Sequence, residues 1–117
     1  MKKILVVDDD MDILFVIRVL LERHGFLVEQ ENHGERVISK VKKFEPGLIL
    51  LDINLPGING DEICEELKSN SSTKHIPIIL FSAAMDLKSK YGHCEVDDFI
   101  EKPFEPKELV QTISKYF

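Results

Sequence analysis

Short apolar runs with no polar alternation recur along this chain, and between them apolar residues repeat at helical spacing. Unalternating runs mark strands buried on both faces, which arise where helices cover both sides of a parallel sheet. Residues 4–7 form the first run. Behind Asp8, Asp9, Asp10 and Asp12, a helix is expected through Ile13, Val16, Ile17, Leu20 and Leu21. Asp10 or Asp12 serves as its N-cap and Gly25 ends it. Residues 27–31 read as a more polar strand, nearer an edge, and a second helix follows over about 34–44. The most apolar strand is 48–53, and the helix after it runs to about Ser69 with Ile63, Cys64 and Leu67 facing in. Residues 76–81 are the fourth strand, 97–100 a short fifth, and 106–117 the last helix, burying Leu109, Val110 and Ile113. Between 85 and 94 the strong apolar anchors are Leu87 and Tyr91, so the helix there is expected to be short or irregular.

Strand–helix repetition of this kind implies one α/β domain over residues 1–117, a doubly wound parallel sheet with helices on both faces and right-handed crossovers. In such sheets the site lies beyond the carboxyl ends of the strands. The residues at those ends are Asp8 and Asp9, Asp52, Ser82, and Lys102. Composition narrows the partners. With 15 Lys and Arg against 21 Asp and Glu, the net charge is −6, which excludes direct nucleic-acid binding by this domain and docking on anionic membranes. Only four apolar residues separate Lys3 from the first acids, so no secretory signal is expected, and no run is long enough to span a bilayer. Cys64 and Cys94 match neither a disulfide-dense scaffold nor a C-x-x-C pattern, and a cytoplasmic location is expected.

Carboxylates converging at one sheet edge repel one another unless a cation joins them. Oxygen donors with no His or Cys at matching spacing suit a hard ion, Mg²⁺ first and Mn²⁺ or Ca²⁺ behind. Mg²⁺ takes one or two carboxylates plus phosphate oxygens, and a carboxylate such as Asp52 is itself a competent phosphoryl acceptor. Lys102 and Ser82 add the positive charge and hydroxyl donor that phosphoryl oxygens need. Taken singly, each residue has a plainer use: a solvated turn, a loop start, a cap, a surface lysine. Their coincidence at four strand ends is what points to phosphoryl chemistry.

The chain resembles the receiver domain of two-component response regulators along nearly its whole length. The matching stretches are residues 4–9, 48–52, Leu55-Pro-Gly57 with Gly60, 77–82, and Lys102-Pro-Phe104. The resemblance implies a flavodoxin-like, five-stranded sheet in the order 2-1-3-4-5. It implies Asp52 as the site phosphorylated from a histidine kinase or histidine phosphotransfer protein, with Ser82 and Lys102 contacting the phosphoryl group. Mg²⁺ would be held by Asp9, Asp52 and the backbone carbonyl of Asn54, and through water by Asp8. Phe99 would turn inward when the Ser82 loop closes, and Lys102–Pro103 would be a cis peptide. The segment 85–94, strand five and the last helix would form the face read by a downstream protein or a separate output domain, or used for a homodimer. The chain departs from the family between Ser82 and Lys102, where the spacing is shorter and Gly92-His-Cys-Glu-Val96 replaces small residues. Ala84 offers no group to position an attacking water and Asn54 could do so only weakly, so an acyl phosphate of intermediate to long life is expected, outlasting seconds.

Two other functions fit parts of the pattern. A pseudo-receiver acting only as an interaction module would not need the intact Asp8, Asp9, Asp52, Ser82 and Lys102. A metal-dependent phosphatase of the haloacid-dehalogenase type wants a hydroxyl residue where Asp12 stands. The EF-hand reading of Asp8-x-Asp10-x-Asp12 fails, because Ile13 and Val19 fall where Gly and Glu are required. A phosphoacceptor signalling domain, not an enzyme, is the expectation.

Overall fold

Apolar runs that cannot alternate must be covered twice, and the chain meets that demand with one sheet between two helical layers. In the computed structural model, which describes residues 2–53, 55, 57, 58, 60–83 and 96–117, five strands pair in parallel in the order β2-β1-β3-β4-β5. They are β1 (Lys3–Val7), β2 (Leu27–Glu31), β3 (Leu48–Asp52), β4 (Ile78–Ala83) and β5 (Asp98–Lys102). The helices are α1 (Met11–Arg23), α2 (Val37–Phe44), α3 (Gly60–Ser69) and α4 (Pro106–Ser114). The expected helix over 85–94, and with it Cys94, lies outside the described residues. So do Asn54 and Ala84.

Successive strand residues point to opposite faces, so each strand feeds two cores. On one face Leu5, Val7, Ile49, Leu51, Ile78 and Leu80 pack with Val37 and Val41 of α2 and with Ile63, Cys64 and Leu67 of α3. On the other Ile4, Val6, Leu48, Leu50, Ile79, Phe81 and Ile100 meet Leu14, Ile17 and Leu21 of α1 and Leu109 and Ile113 of α4. The more polar β2 lies at an edge, as its composition predicts.

Local signals set the ends. Asp10 caps α1, its carboxylate accepting the Asp12 and Ile13 amides at 2.9 and 3.4 Å. Gly25, at φ 87°, turns the chain out of that helix. Gly60 opens α3 against the end of β3, where a Cβ would stand 2.9 Å from both the Asp52 carbonyl oxygen and the Ile53 Cα.

Several boundaries differ from the sequence reading. A 3₁₀ turn, Gly34–Arg36, precedes α2, so the α-helix begins later than 34. β4 begins at Ile78, not 76, because Pro77 has no amide to donate, although its carbonyl still accepts from Ile49 at 3.0 Å. β5 begins one residue later and ends two residues later than expected; at its start Asp97 donates its amide to the Ile78 carbonyl at 2.9 Å and accepts the Ile78 amide on its carboxylate at 2.8 Å. The last helix stops at Ser114.

Candidate functional site

The strand register brings the predicted residues together. Val7 pairs with Leu51 and Asp52 with Phe81, while Ala83 pairs with Lys102. Counting alternation from Ile4, Leu50, Phe81 and Ile100 places Asp8, Asp52, Phe81 and Lys102 in one row on the α1/α4 face. Ser82 and Phe99 fall on the opposite face, two positions apart across the β4–β5 ladder, where Leu80 pairs with Phe99 and Ser82 with Glu101. The site and the predicted switch pair are thus divided between faces by parity alone.

Asp8, Asp9 and Asp52 each offer a carboxylate oxygen within 4.8 Å of the others. Asp8 and Asp52 are buried and Asp9 is exposed, so the group opens to solvent on one side. Asp8 is held at three points. Its amide donates to the Glu31 carbonyl at 3.1 Å, one carboxylate oxygen accepts the Asp10 amide at 2.9 Å, and the other accepts Lys102 Nζ at 2.9 Å. Lys102 Nζ also lies 3.5 Å from Asp52 Oδ2 and 4.5 Å over the ring centroid of Phe81. Ser82 is buried at the end of β4, and Phe99 is 44% exposed on β5. The Lys102–Pro103 peptide is cis, as the resemblance implies.

An all-oxygen cluster of three carboxylates, two of them buried, with one ammonium beside it, carries excess negative charge that a hard divalent cation would balance. The donor chemistry therefore fits Mg²⁺. Of the residues expected at the site, Asp8, Asp9, Asp52 and Lys102 are brought together, and Ser82 stands at the next strand end. The Asn54 carbonyl lies outside the described residues.

Two residues at or near strand ends have no part in the expected site. Glu31, buried at the end of β2, accepts the Asn32 and His33 amides at 3.1 and 3.0 Å and sits 3.5 Å from Lys40 Nζ, fixing the backbone that receives the Asp8 amide. An acid closing an otherwise half-apolar edge strand is the signal for it. Phe81 reads in sequence as core alone. Its alternation in step with Asp52 is the signal that it borders the site.

Comparison with known proteins agrees with this geometry. The family model for the response regulator receiver domain matches residues 4–114. The DNA-binding response regulator MtrA of Mycobacterium tuberculosis is 36% identical over 114 residues, covering 96% of this chain and 49% of MtrA. The chain thus spans about half the length of the regulators it matches in sequence. The structure of TrrA from Thermotoga maritima in complex with Mg²⁺ and BeF superposes with a TM-score of 0.90 at 31% identity, covering 100% of both chains. Chemotaxis response regulator CheY4 of Vibrio cholerae gives 0.91 at 27% identity, covering 100% of this chain and 99% of its own. Among the described residues no helix is long and apolar enough to cross a membrane. Sheet order, acidic cluster and family match converge: the chain belongs to the response regulator receiver domain family, phosphoacceptor signalling domains rather than enzymes.

Proposed function

We propose that Asp52 is the phosphoacceptor and that a histidine kinase or histidine phosphotransfer protein is the donor. The observation that carries this reading is the Lys102 ammonium set across Asp8 and Asp52 within the three-carboxylate cluster. An Asp52 carboxylate oxygen forms the new bond to phosphorus. The phosphorus–nitrogen bond of the donor imidazole breaks, and the imidazole nitrogen takes a proton from solvent. Lys102 turns from Asp8 to a phosphoryl oxygen, and the Ser82 hydroxyl donates to another. Asp8, Asp9, Asp52 and the Asn54 carbonyl would hold Mg²⁺, with Mn²⁺ able to replace it. The bound ion supplies charge neutralisation and lets carboxylate and phosphoryl oxygens approach.

The phosphoryl group adds nearly two negative charges and three acceptors to a small pocket. Ser82, drawn to it, vacates space on the face it shares with Phe99, and the half-exposed ring turns inward. That change is the signal, passed to a downstream protein or a separate output domain. A homodimer through segment 85–94, β5 and α4 is the self-association this reading allows. Cytoplasmic location follows from the donor. The net charge of −6 supports assigning any DNA contact of the whole regulator to another domain.

Incubation with Mg²⁺ and acetyl phosphate, followed by intact mass, tests the reading. One added phosphoryl group on the wild type, absent from Asp52→Asn, is expected. No adduct on the wild type overturns it in favour of a pseudo-receiver, and continuous phosphate release with turnover overturns it in favour of a phosphatase.

A further inference from the structure

Phe81 is wholly buried, yet one side of its ring borders the acidic cluster. It pairs with Asp52 across the β3–β4 ladder and shares the face that carries Asp8 and Lys102. Lys102 Nζ, 4.5 Å over its centroid, is also 2.9 Å from Asp8 Oδ2 and 3.5 Å from Asp52 Oδ2. Among the described residues the ammonium therefore meets two carboxylates and the negative face of an aromatic ring. A leucine would fill the same core space. What an aromatic alone adds is the quadrupole beneath the charge.

We infer that Phe81 is a positioning residue for Lys102, a platform on which the ammonium turns from Asp8 toward a phosphoryl group on Asp52. The inference rests on the receiver reading. Both carboxylate partners change character in the reaction, Asp52 by becoming an acyl phosphate and Asp8 by the cation it would help to hold. The ring face does not change. Lysine is a compact charge on a flexible four-carbon stem, so contacts to two changing groups leave its position loose at the moment it is needed. A small misplacement of a charge-stabilising group is costly in rate. The ring limits that freedom without competing for a proton or a metal.

Fluorination of the ring separates this role from simple packing, because it drains negative potential from the face while nearly preserving shape. 4-Fluorophenylalanine and pentafluorophenylalanine are introduced at position 81, with Phe81→Leu as the ringless variant and thermal unfolding as the check on fold. In the wild type the Lys102 ε-methylene protons are expected upfield by ring current in NMR, and Phe81→Leu removes that shift. The rate of Asp52 phosphorylation by acetyl phosphate is expected to fall stepwise with fluorination, by about three- to tenfold for the pentafluoro ring. A packing role alone predicts no ordering by fluorine content. A flat rate across folded variants, or no ring-current shift in the wild type, overturns the inference. A wild type that forms no adduct overturns the receiver reading instead, and the Lys102 shift still decides the pairing.

Discussion

Lys102 is the cation set against the buried Asp8 and Asp52, and its removal should be felt twice. Asp8 has a side chain 1% exposed and takes the Lys102 ammonium at 2.9 Å, so Lys102→Ala leaves a buried carboxylate without its charged partner. Breaking a buried pair this way costs about 3 kcal/mol, less here because Asp9 opens the cluster to water and the Asp10 amide still serves Asp8. Urea unfolding in EDTA should therefore show a loss of about 1–2 kcal/mol, and 10 mM Mg²⁺ should recover part of it by restoring positive charge. Acetyl phosphate should label the variant at least tenfold more slowly, or about 1.4 kcal/mol in the barrier. Equal stability of variant and wild type in EDTA would remove the pair from the argument. At this scale the sequence carried much of the site. That Asp8, Asp9, Asp52 and Lys102 come together was legible because strand ends are readable and sheet sites lie beyond them. The Phe81 ring was not, because a cation over a ring depends on the β4–β5 register, which the apolar pattern of either strand does not fix.

Elements whose identity comes from apolar content were legible, and elements whose ends are set by polar contacts were less so. β3 is five consecutive buried residues and could be little else. β5 has the same length but is half-exposed, and acids add to the backbone pairing at its start. Asp97 takes the Ile78 amide at 2.8 Å and Lys68 Nζ at 3.1 Å, while Asp98 takes Lys115 Nζ at 3.0 Å and the Tyr116 hydroxyl at 3.3 Å. This clasp ties β5 to α3, β4 and the turn after α4. Burial alone would raise the Asp98 pKa, but the Lys115 hydrogen bond, the Phe99 amide and the Lys115 charge outweigh it and hold the carboxyl below its ordinary value. The same carboxylate, adding to burial, pushes the Tyr116 hydroxyl up. A carboxyl whose folded pKa is depressed stabilises above its unfolded value, and that stability fades as pH falls through the folded value. Asp98→Asn should cost about 0.5 kcal/mol at pH 7, since Lys115 is well exposed and screened. The gap to wild type should close as pH falls below about 4. Urea unfolding at pH 7 and pH 3 measures both points, and a gap of unchanged size in acid would reject the charge assignment.

On the scale of the whole molecule, the net charge of −6 matters less than where its acids stand. Most lie on solvated helices and loops, but Asp8, Asp9 and Asp52 share a space 4.8 Å across with Lys102 as the ammonium bonded to it. Two like charges at such a distance repel by about 3.5 kcal/mol at an effective dielectric near 20, and a lysine shared between Asp8 and Asp52 offsets only part of that sum. The sheet is packed on both faces by buried apolar side chains, so the fold tolerates a local cost at its carboxyl edge that it avoids elsewhere. Function at the expense of stability should be measurable. Asp52→Asn keeps the shape, removes one repelling charge and leaves the Lys102–Asp8 bond in place. Without divalent cation it should be more stable than wild type by about 1 kcal/mol, visible as a rise of roughly 4 °C in midpoint. Added Mg²⁺ should narrow the difference, because the wild type gains from binding what the variant has largely lost. An Asp52→Asn protein that is less stable in EDTA, or a gap indifferent to Mg²⁺, would mean that the carboxylates are already balanced and that the edge stores no charge for a phosphoryl group to exploit.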